Sequence, residues 1–333
     1  MNIIVFDVPA ETGGALAILK QYYEEAMNDL NNDWCFVIST PELVELENVR
    51  VLNFPWVKKS WFHRLYFDRF VAHKIVEQYK ADEVVSLQNV IVERVRCKQT
   101  LYLHQSLPFA EKRYRILENF KFWVYQNLIS RMIFKSIRKA DTVIVQTEWM
   151  KDACVQKVGV SLDKFEVIQP NVNIEVKKSY KQENENNILF FYPSNAFVYK
   201  NHKVIVEAAR LLKQQGIDNY NIVFTLKGDE NGNIKKIYDV VKANNLPIRF
   251  IGQISLEEVY EYYCKSILIF PSYIETFGLP LLEAKIHGAP ILASDCAFAH
   301  EILKNYDKVQ FFNAVNSEEL SEEMSKTIKG GLE

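Results

Sequence analysis

The sequence predicts an α/β protein made of two successive domains, each a parallel sheet flanked by helices. Three observations carry this. Short β-branched and aromatic runs alternate with longer amphipathic stretches along most of the chain. The 333 residues exceed what one hydrophobic core usually organises. The alternation breaks once, at a polar stretch, and then restarts.

In order, the pattern predicts strands at 3–8, 34–40, 49–54, 83–88, 100–104, 142–146 and 165–168. Helical periodicity fills 15–30, 61–79 and 117–138. Residues 175–187 (EVKKSYKQENENN) have almost nothing to bury and read as a linker. Beyond it come strands at 188–192, 221–227, 248–251, 267–271 and 290–293. Helices are expected at 202–215, 233–244 and 256–264, with another starting at Leu279. The domains are therefore expected at 1–174 and 188–330, joined by 175–187. In sheets of this kind, ligands sit beyond the carboxyl ends of the strands.

Composition narrows the function classes. An apolar fraction of 48% and a charged fraction of 25% are those of a soluble globular protein. No stretch approaches the roughly 18 apolar residues of a membrane span. The opening Met1–Asp7 run lacks a basic n-region and reads as a strand, so a cytoplasmic location is expected. Cys35, Cys97, Cys154, Cys264 and Cys296 are scattered without a C-x-x-C pair and are expected as reduced, mostly buried thiols. The six histidines form no zinc pattern, and no metal is expected. Charge is unevenly placed: residues 50–140 hold 18 Lys and Arg against 7 acids, whereas 1–49 hold 1 against 9. That asymmetry points to a surface that meets something anionic.

The informative stretch is Phe270 to Ala284 (FPSYIETFGLPLLEA). A buried strand ends at Phe270-Pro271. A loop with Glu275, Thr276, Phe277 and Gly278 follows, and a helix starts at Leu279 with Pro280 in its first turn. Backbone N–H groups near 277–280, with the helix dipole behind them, suit a diphosphate. Gly278 permits close backbone approach. Glu283 lies eight residues after Glu275, where a carboxylate can accept hydrogen bonds from vicinal hydroxyls.

Glu275 and Glu283 around F-G-L-P-L-L resemble the E-x7-E motif of retaining glycosyltransferases of family 4. The resemblance implies a GT-B fold, two Rossmann-like domains facing each other across a cleft. It also implies that Glu283 binds the nucleotide ribose, and that Glu275 with the amides after it binds the donor sugar. Lys200, in Y-K-N-H at a helix start, matches the family's diphosphate-pairing lysine; Asn195 stands where the family has an arginine. Lys227 and Gly228, ending a strand, are candidates for the second positive contact. Gly13 and Gly14 match the family's glycine loop after the first strand; without a G-x-G-x-x-G spacing they argue against a dinucleotide oxidoreductase. His104 matches a histidine that contacts the donor sugar. Asn171, in Q-P-N-V-N, departs from the family's P-N-G-V-D and carries no role.

The implied substrate is a nucleoside diphosphate sugar of UDP or GDP type, with no further cofactor. The implied acceptor is a glycan or lipid-linked hydroxyl in capsule, O-antigen or exopolysaccharide assembly. Aromatics interleaved with cations in 53–64 and 109–138 lead us to expect a peripheral contact with anionic membrane. No nucleic acid is expected, because no recognised module accompanies the basic segment. Two alternatives remain: a GT-B sugar-nucleotide epimerase, and a catalytically inactive sugar-nucleotide-binding module.

Overall fold

The computed structural model describes residues 1–11, 13–110, 112–170, 174–182 and 187–330. Internal contacts divide the chain into two compact units, Met1–Pro170 and Asn171–Glu333. Asn171 lies outside the described residues.

Unit 1 runs β1 (Asn2–Asp7), α1 (Gly13–Asn28), β2 (Asp33–Ile38), β3 (Val49–Asn53), α2 (Trp61–Tyr66), α3 (Ala72–Gln78) and β4 (Glu83–Ser86). It continues with β5 (Lys98–Tyr102), α4 (Phe120–Val124), α5 (Ser130–Lys139), β6 (Thr142–Val145), α6 (Glu148–Val158) and β7 (Phe165–Val167). The seven strands pair in the order β3-β2-β1-β4-β5-β6-β7, every pair parallel. Alternate residues feed opposite faces, as the period of two requires: Val5 and Val85 pack under α1, while Ile4, Phe6 and Val84 pack against α3. A π-helical turn, Phe67–Val71, joins α2 to α3, and another, Tyr125–Ile129, joins α4 to α5. Each pair thus makes one long interrupted helix, as the periodicity over 61–79 and 117–138 predicts.

Unit 2 runs β8 (Ile188–Tyr192), α7 (His202–Gln214), β9 (Tyr220–Phe224), α8 (Gly232–Ala243), β10 (Ile248–Phe250) and α9 (Leu256–Tyr263). Then come β11 (Ile267–Phe270), α10 (Leu279–Ile286), β12 (Ile291–Ser294), α11 (Ala297–Ile302), β13 (Val309–Phe312) and α12 (Ser317–Ile328). The order is β10-β9-β8-β11-β12-β13, again all parallel. Central strands covered on both faces read as unbroken apolar runs, and every residue of β11 is buried. The sequence pattern missed β13. It is an edge strand, half exposed, and Gln310 interrupts its apolar run. The polar stretch expected as a linker is partly anchored: Tyr180 N–H donates to His287 O at 2.7 Å and Lys181 N–H to Cys264 O at 2.8 Å. All five thiols are free, but only Cys35 and Cys154 are buried; the other three are partly exposed.

Each sheet reverses its winding once, between β1 and β4 and between β8 and β11. The loops leaving the paired carboxyl ends diverge there and open a crevice. In unit 2 those loops are 193–201 and 271–278, which carry Lys200 and Glu275.

Gly228 ends the turn after β9 with φ of 104°, and a Cβ there would fall 2.4 Å from the Tyr238 ring. Gly228→Ala should therefore cost more than about 2 kcal/mol through strain and overpacking. A calorimetric scan should show unit 2 melting about 5 °C or more lower. Gly232→Ala, with negative φ and open space around its Cβ, serves as the control and should leave the melt nearly unchanged.

Candidate donor-binding site

The carboxyl edge of unit 2 brings two distant charges together. Lys200 Nζ lies 2.5 Å from Glu275 Oε1, and both side chains are largely withdrawn from solvent, at 11% and 15% exposure. The pair joins the loop after β8 to the loop after β11, at the point where the sheet reverses. The ammonium also lies 5.6 Å from the Tyr199 ring centre and 5.8 Å from that of Phe270, so π-faces flank it.

Local conformation holds Lys200 there. A 3-10 turn, Val198–Lys200, ends at Asn201, whose φ of 59° and ψ of 36° are left-handed. Asparagine tolerates that region better than most residues. Its side-chain amide donates to Pro271 O at 3.2 Å and to Ala314 O at 2.6 Å. One side chain thus ties the loops following β8, β11 and β13. Tyr192 Oη donates to Lys200 O at 2.8 Å, and Ser272 Oγ donates to Tyr199 O at 3.3 Å. Sequence alone assigns Asn201 no role, although an asparagine between a turn and a helix start is the available signal.

The second half of the site is the start of α10. Gly278 precedes it with φ of 96°, which a side chain would strain, and a Cβ would also crowd Leu281 at 3.3 Å. The glycine is needed for the turn itself, a reason separate from ligand approach. No side chain caps this helix. Among the described residues, the N–H groups of Phe277, Gly278 and Leu279 donate to no backbone carbonyl, leaving an anion-favouring end. The Phe277 ring is buried in the core, while Thr276 is partly exposed.

Glu283 sits in the second turn of α10, partly buried. Tyr263 Oη donates to its Oε2 at 3.0 Å. Burial pushes its carboxyl above the usual range, and the Tyr263 hydrogen bond partly opposes this. Its Oε1 accepts from no group among the described residues. Tyr263 is itself fully buried against Phe191 and His287. Nothing in the run YEYY marked it in advance.

The turn after β9 carries a further carboxylate, Glu230. Glu230 accepts from Lys227 N–H at 2.5 Å and from Gly228 N–H at 3.1 Å. Both amides that a diphosphate would use are occupied by a carboxylate, and the Lys227 side chain is exposed. Asn195, at the position of the absent arginine, accepts from Phe197 N–H at 3.3 Å and shapes the loop.

The remaining candidates lie in unit 1. Gly13, with φ of 66°, and Gly14 open α1 with space around both. His104 stands two residues beyond β5, not on it. Its N–H donates to Asn89 Oδ1 at 2.7 Å and its ring stacks on Tyr102 at 4.5 Å. Burial lowers its pKa to about 4, so the imidazole is neutral at pH 7, and its Nε2 is buried without a partner. At the same sheet edge Asp7 is fully buried at the end of β1, and neither oxygen makes a well-formed hydrogen bond. Burial pushes its carboxyl up to about 8; the Ala10 amide and the charges of Arg64 and Lys58 pull the other way and do not cancel it.

Comparison with known proteins bears on the family and the fold. Residues 173–332 match the sequence model of the family described as glycosyl transferases group 1. The O-antigen chain mannosyltransferase RfbU of Salmonella typhimurium is 24% identical over 209 residues, 62% of this chain and 55% of that protein. A Campylobacter jejuni N-acetylgalactosaminyltransferase acting on N,N'-diacetylbacillosaminyl-diphospho-undecaprenol is 27% identical over 54% of this chain and 46% of its own. The matches thus span about half the length of these curated relatives. Among solved structures, sucrose-phosphate synthase of Thermosynechococcus elongatus superposes with a TM-score of 0.72 at 15% identity. The match covers 99% of this chain and 90% of that one. HepE of Anabaena, solved with UDP and glucose, gives 0.69 at 16% identity, with 99% and 90% covered. At such identities the structural likeness concerns the fold, which is that of the GT-B glycosyltransferases.

Two stability measurements test this construction. Asn201→Gly keeps the left-handed turn and loses two hydrogen bonds, at a cost of about 1–3 kcal/mol. Asn201→Ala adds backbone strain of about 1–2 kcal/mol, so stability should rank Asn, then Gly, then Ala. An alanine variant as stable as the glycine one would show that the conformation is not demanding. Asp7 has a folded pKa raised from 3.8 to about 8. Its protonated form therefore adds stability that is complete below the unfolded value and lost as pH rises through about 8. Asp7→Asn should lack that decline, and parallel melting profiles of variant and parent between pH 4 and 8 would refute the assignment.

Proposed function

We propose that this chain, whose residues 173–332 match the group 1 glycosyl transferases, moves a sugar from a nucleoside diphosphate sugar to an acceptor hydroxyl with retention at the anomeric carbon. The donor is of UDP or GDP type, and the acceptor is a glycan or lipid-linked glycan in polysaccharide assembly. The observation that carries the reading is the Lys200–Glu275 pair beside the uncapped start of α10. A cation, amides without backbone partners and a carboxylate meet at one sheet edge, which supports a diphosphate and a sugar there. RfbU acts in O-antigen assembly by its name, and HepE has been solved with UDP and glucose; both support the reading.

The chemistry follows from the residues. As the bond from the anomeric carbon to the diphosphate breaks, its electron pair leaves on the phosphate oxygen. Negative charge builds there, and Lys200 with the amides of Phe277, Gly278 and Leu279 stabilises it. The acceptor oxygen bonds to the same face of the anomeric carbon, and its proton passes to the departing phosphate. Glu283 holds ribose hydroxyls through its unoccupied oxygen, while Tyr263 fixes the other. Glu275 turns from Lys200 to the donor's sugar hydroxyls. In unit 1, the neutral imidazole of His104, with its buried Nε2 unpartnered, suits a hydroxyl better than a phosphate. The proposed reaction uses no metal and no cofactor besides the donor. The backbone amides of Lys227 and Gly228 stay outside the phosphate contacts unless Glu230 moves away.

Incubation with UDP- and GDP-sugar panels, with and without acceptor, tests the class. Proton NMR of the product should show the donor's own anomeric configuration, and an inverted product would end the retaining assignment. Free epimerised sugar would instead indicate an epimerase; binding without turnover would indicate an inactive module. Lys200→Ala should lower kcat/KM by about 10²–10³ and weaken nucleoside diphosphate binding. Glu275→Gln should lower transfer similarly but leave nucleoside diphosphate binding equal or tighter, because it frees Lys200. Equal weakening of binding in both variants would contradict these roles.

A further inference from the structure

The sequence predicts residues 175–187 as a free linker, yet Lys178–Lys181 is tied down at three points. Tyr180 N–H donates to His287 O at 2.7 Å, Lys181 N–H donates to Cys264 O at 2.8 Å, and the Cys264 thiol donates to Lys178 O at 3.0 Å. Both acceptor carbonyls sit at helix ends: Cys264 closes α9 and His287 closes α10. The last carbonyls of a helix have no partner within it and must find one outside. This piece of chain supplies N–H donors to both, and so straps together the C-terminal ends of two neighbouring helices.

Those two helices carry the pair at the candidate ribose contact. Tyr263 is the last residue of α9, directly before Cys264, and its Oη donates to Glu283 Oε2 at 3.0 Å. Glu283 lies one turn before His287. The backbone N–H of His287 donates to Glu283 O at 3.1 Å, and its Nδ1 lies 2.8 Å from the same oxygen. A carbonyl oxygen only accepts, so Nδ1 carries the hydrogen. The imidazole is 2% exposed and packs against the rings of Tyr260 and Tyr263, with centres 4.9 and 5.8 Å away. The strap therefore reaches Glu283 by two short routes. One runs through Cys264 to the adjoining Tyr263, the other through His287 to the Glu283 carbonyl.

A side-chain hydrogen bond depends steeply on alignment. A small slide of α9 past α10 would release Tyr263 from Glu283 and let the carboxylate turn. Tying both helix ends to one strap opposes that slide.

We propose that Lys178–Lys181 positions Glu283, acting through the positioning residues His287 and Tyr263, and that strap docking and nucleoside binding favour one another. The proposal rests on Glu283 being the ribose-binding carboxylate. Its Oε1 faces ribose hydroxyls in a fixed direction while Tyr263 holds Oε2. Such coupling is reciprocal: the factor by which the docked strap raises nucleoside affinity is the factor by which bound nucleoside favours docking. Capping of two helices for stability alone would explain the bonds but predicts no such exchange.

Two measurements test it. Lys181→Pro removes the N–H that bonds Cys264 O, and Lys181→Ala keeps it. Lys181 is exposed and outside any helix or strand, so both variants should melt close to the parent. Calorimetric titration with uridine and guanosine diphosphate should show the proline variant binding about three- to tenfold more weakly, which is what one hydrogen bond can transmit. The alanine variant should bind as the parent does. A proline variant that binds as tightly as the parent would overturn the proposal. Iodoacetamide labelling of Cys264, read by peptide mass, follows the strap directly, because that thiol bonds Lys178 O. A saturating nucleoside diphosphate should slow labelling of the parent by a similar factor, and an unchanged rate with bound nucleotide would also overturn it. If neither nucleotide binds, the ribose reading fails, and labelling without ligand still decides on the strap. Glu283→Ala should then speed modification of Cys264 severalfold; the parent rate in that variant would sever the strap from Glu283.

Discussion

A single ion pair at the reversal point of the second sheet organises the candidate site. Lys200 and Glu275 are 75 residues apart in sequence, and each would be costly to withdraw from water alone. Together they offset much of that cost, and they close the gap between two loops that the topology forces to diverge. A ligand that offers a phosphate to the lysine and hydroxyls to the glutamate can replace both halves of the pair without stranding either charge. That exchange gives the unliganded site a defined shape and a built-in competitor for the donor.

The surroundings make this pair possible through backbone geometry more than through side-chain packing. Two left-handed residues, Asn201 before α7 and Gly278 before α10, set the directions in which the two helices leave the sheet edge. Asn201 adds hydrogen bonds to the neighbouring loops, so the lysine turn is braced from three strands. Gly278 leaves α10 without a cap, which makes its first turn an acceptor of anions. In the turn after β9, Glu230 takes the Lys227 and Gly228 amides, while the Lys227 side chain stays exposed.

Unit 1 shows a different economy. Asp7, Gln88 and His104 bring buried, unpartnered polar atoms to the carboxyl edge of β1, β4 and β5. Desolvation drives the acid toward its neutral form and holds the imidazole uncharged. Polar groups left in this state recognise hydroxyls better than they recognise charge.

Much of this was readable from residue order. Strands destined for the middle of a parallel sheet must be apolar on both faces, so β8, β9 and β11 announced themselves. The glycine between Glu275 and Glu283, with proline two residues on, identified a loop-to-helix junction because few residues can make that turn. Edge strand β13 was missed because half of it faces solvent and its pattern is mixed. The partners were also out of reach: that Lys200 meets Glu275, that Tyr263 meets Glu283, and that Glu230 takes the Lys227 and Gly228 amides. By itself the sequence determined the sheet-helix alternation and the local turns, since these follow from periodicity and allowed backbone angles within a few residues. Tertiary structure alone decided which charges are paired, which polar atoms are buried and which aromatics reach solvent, because those depend on groups brought together from separate strands.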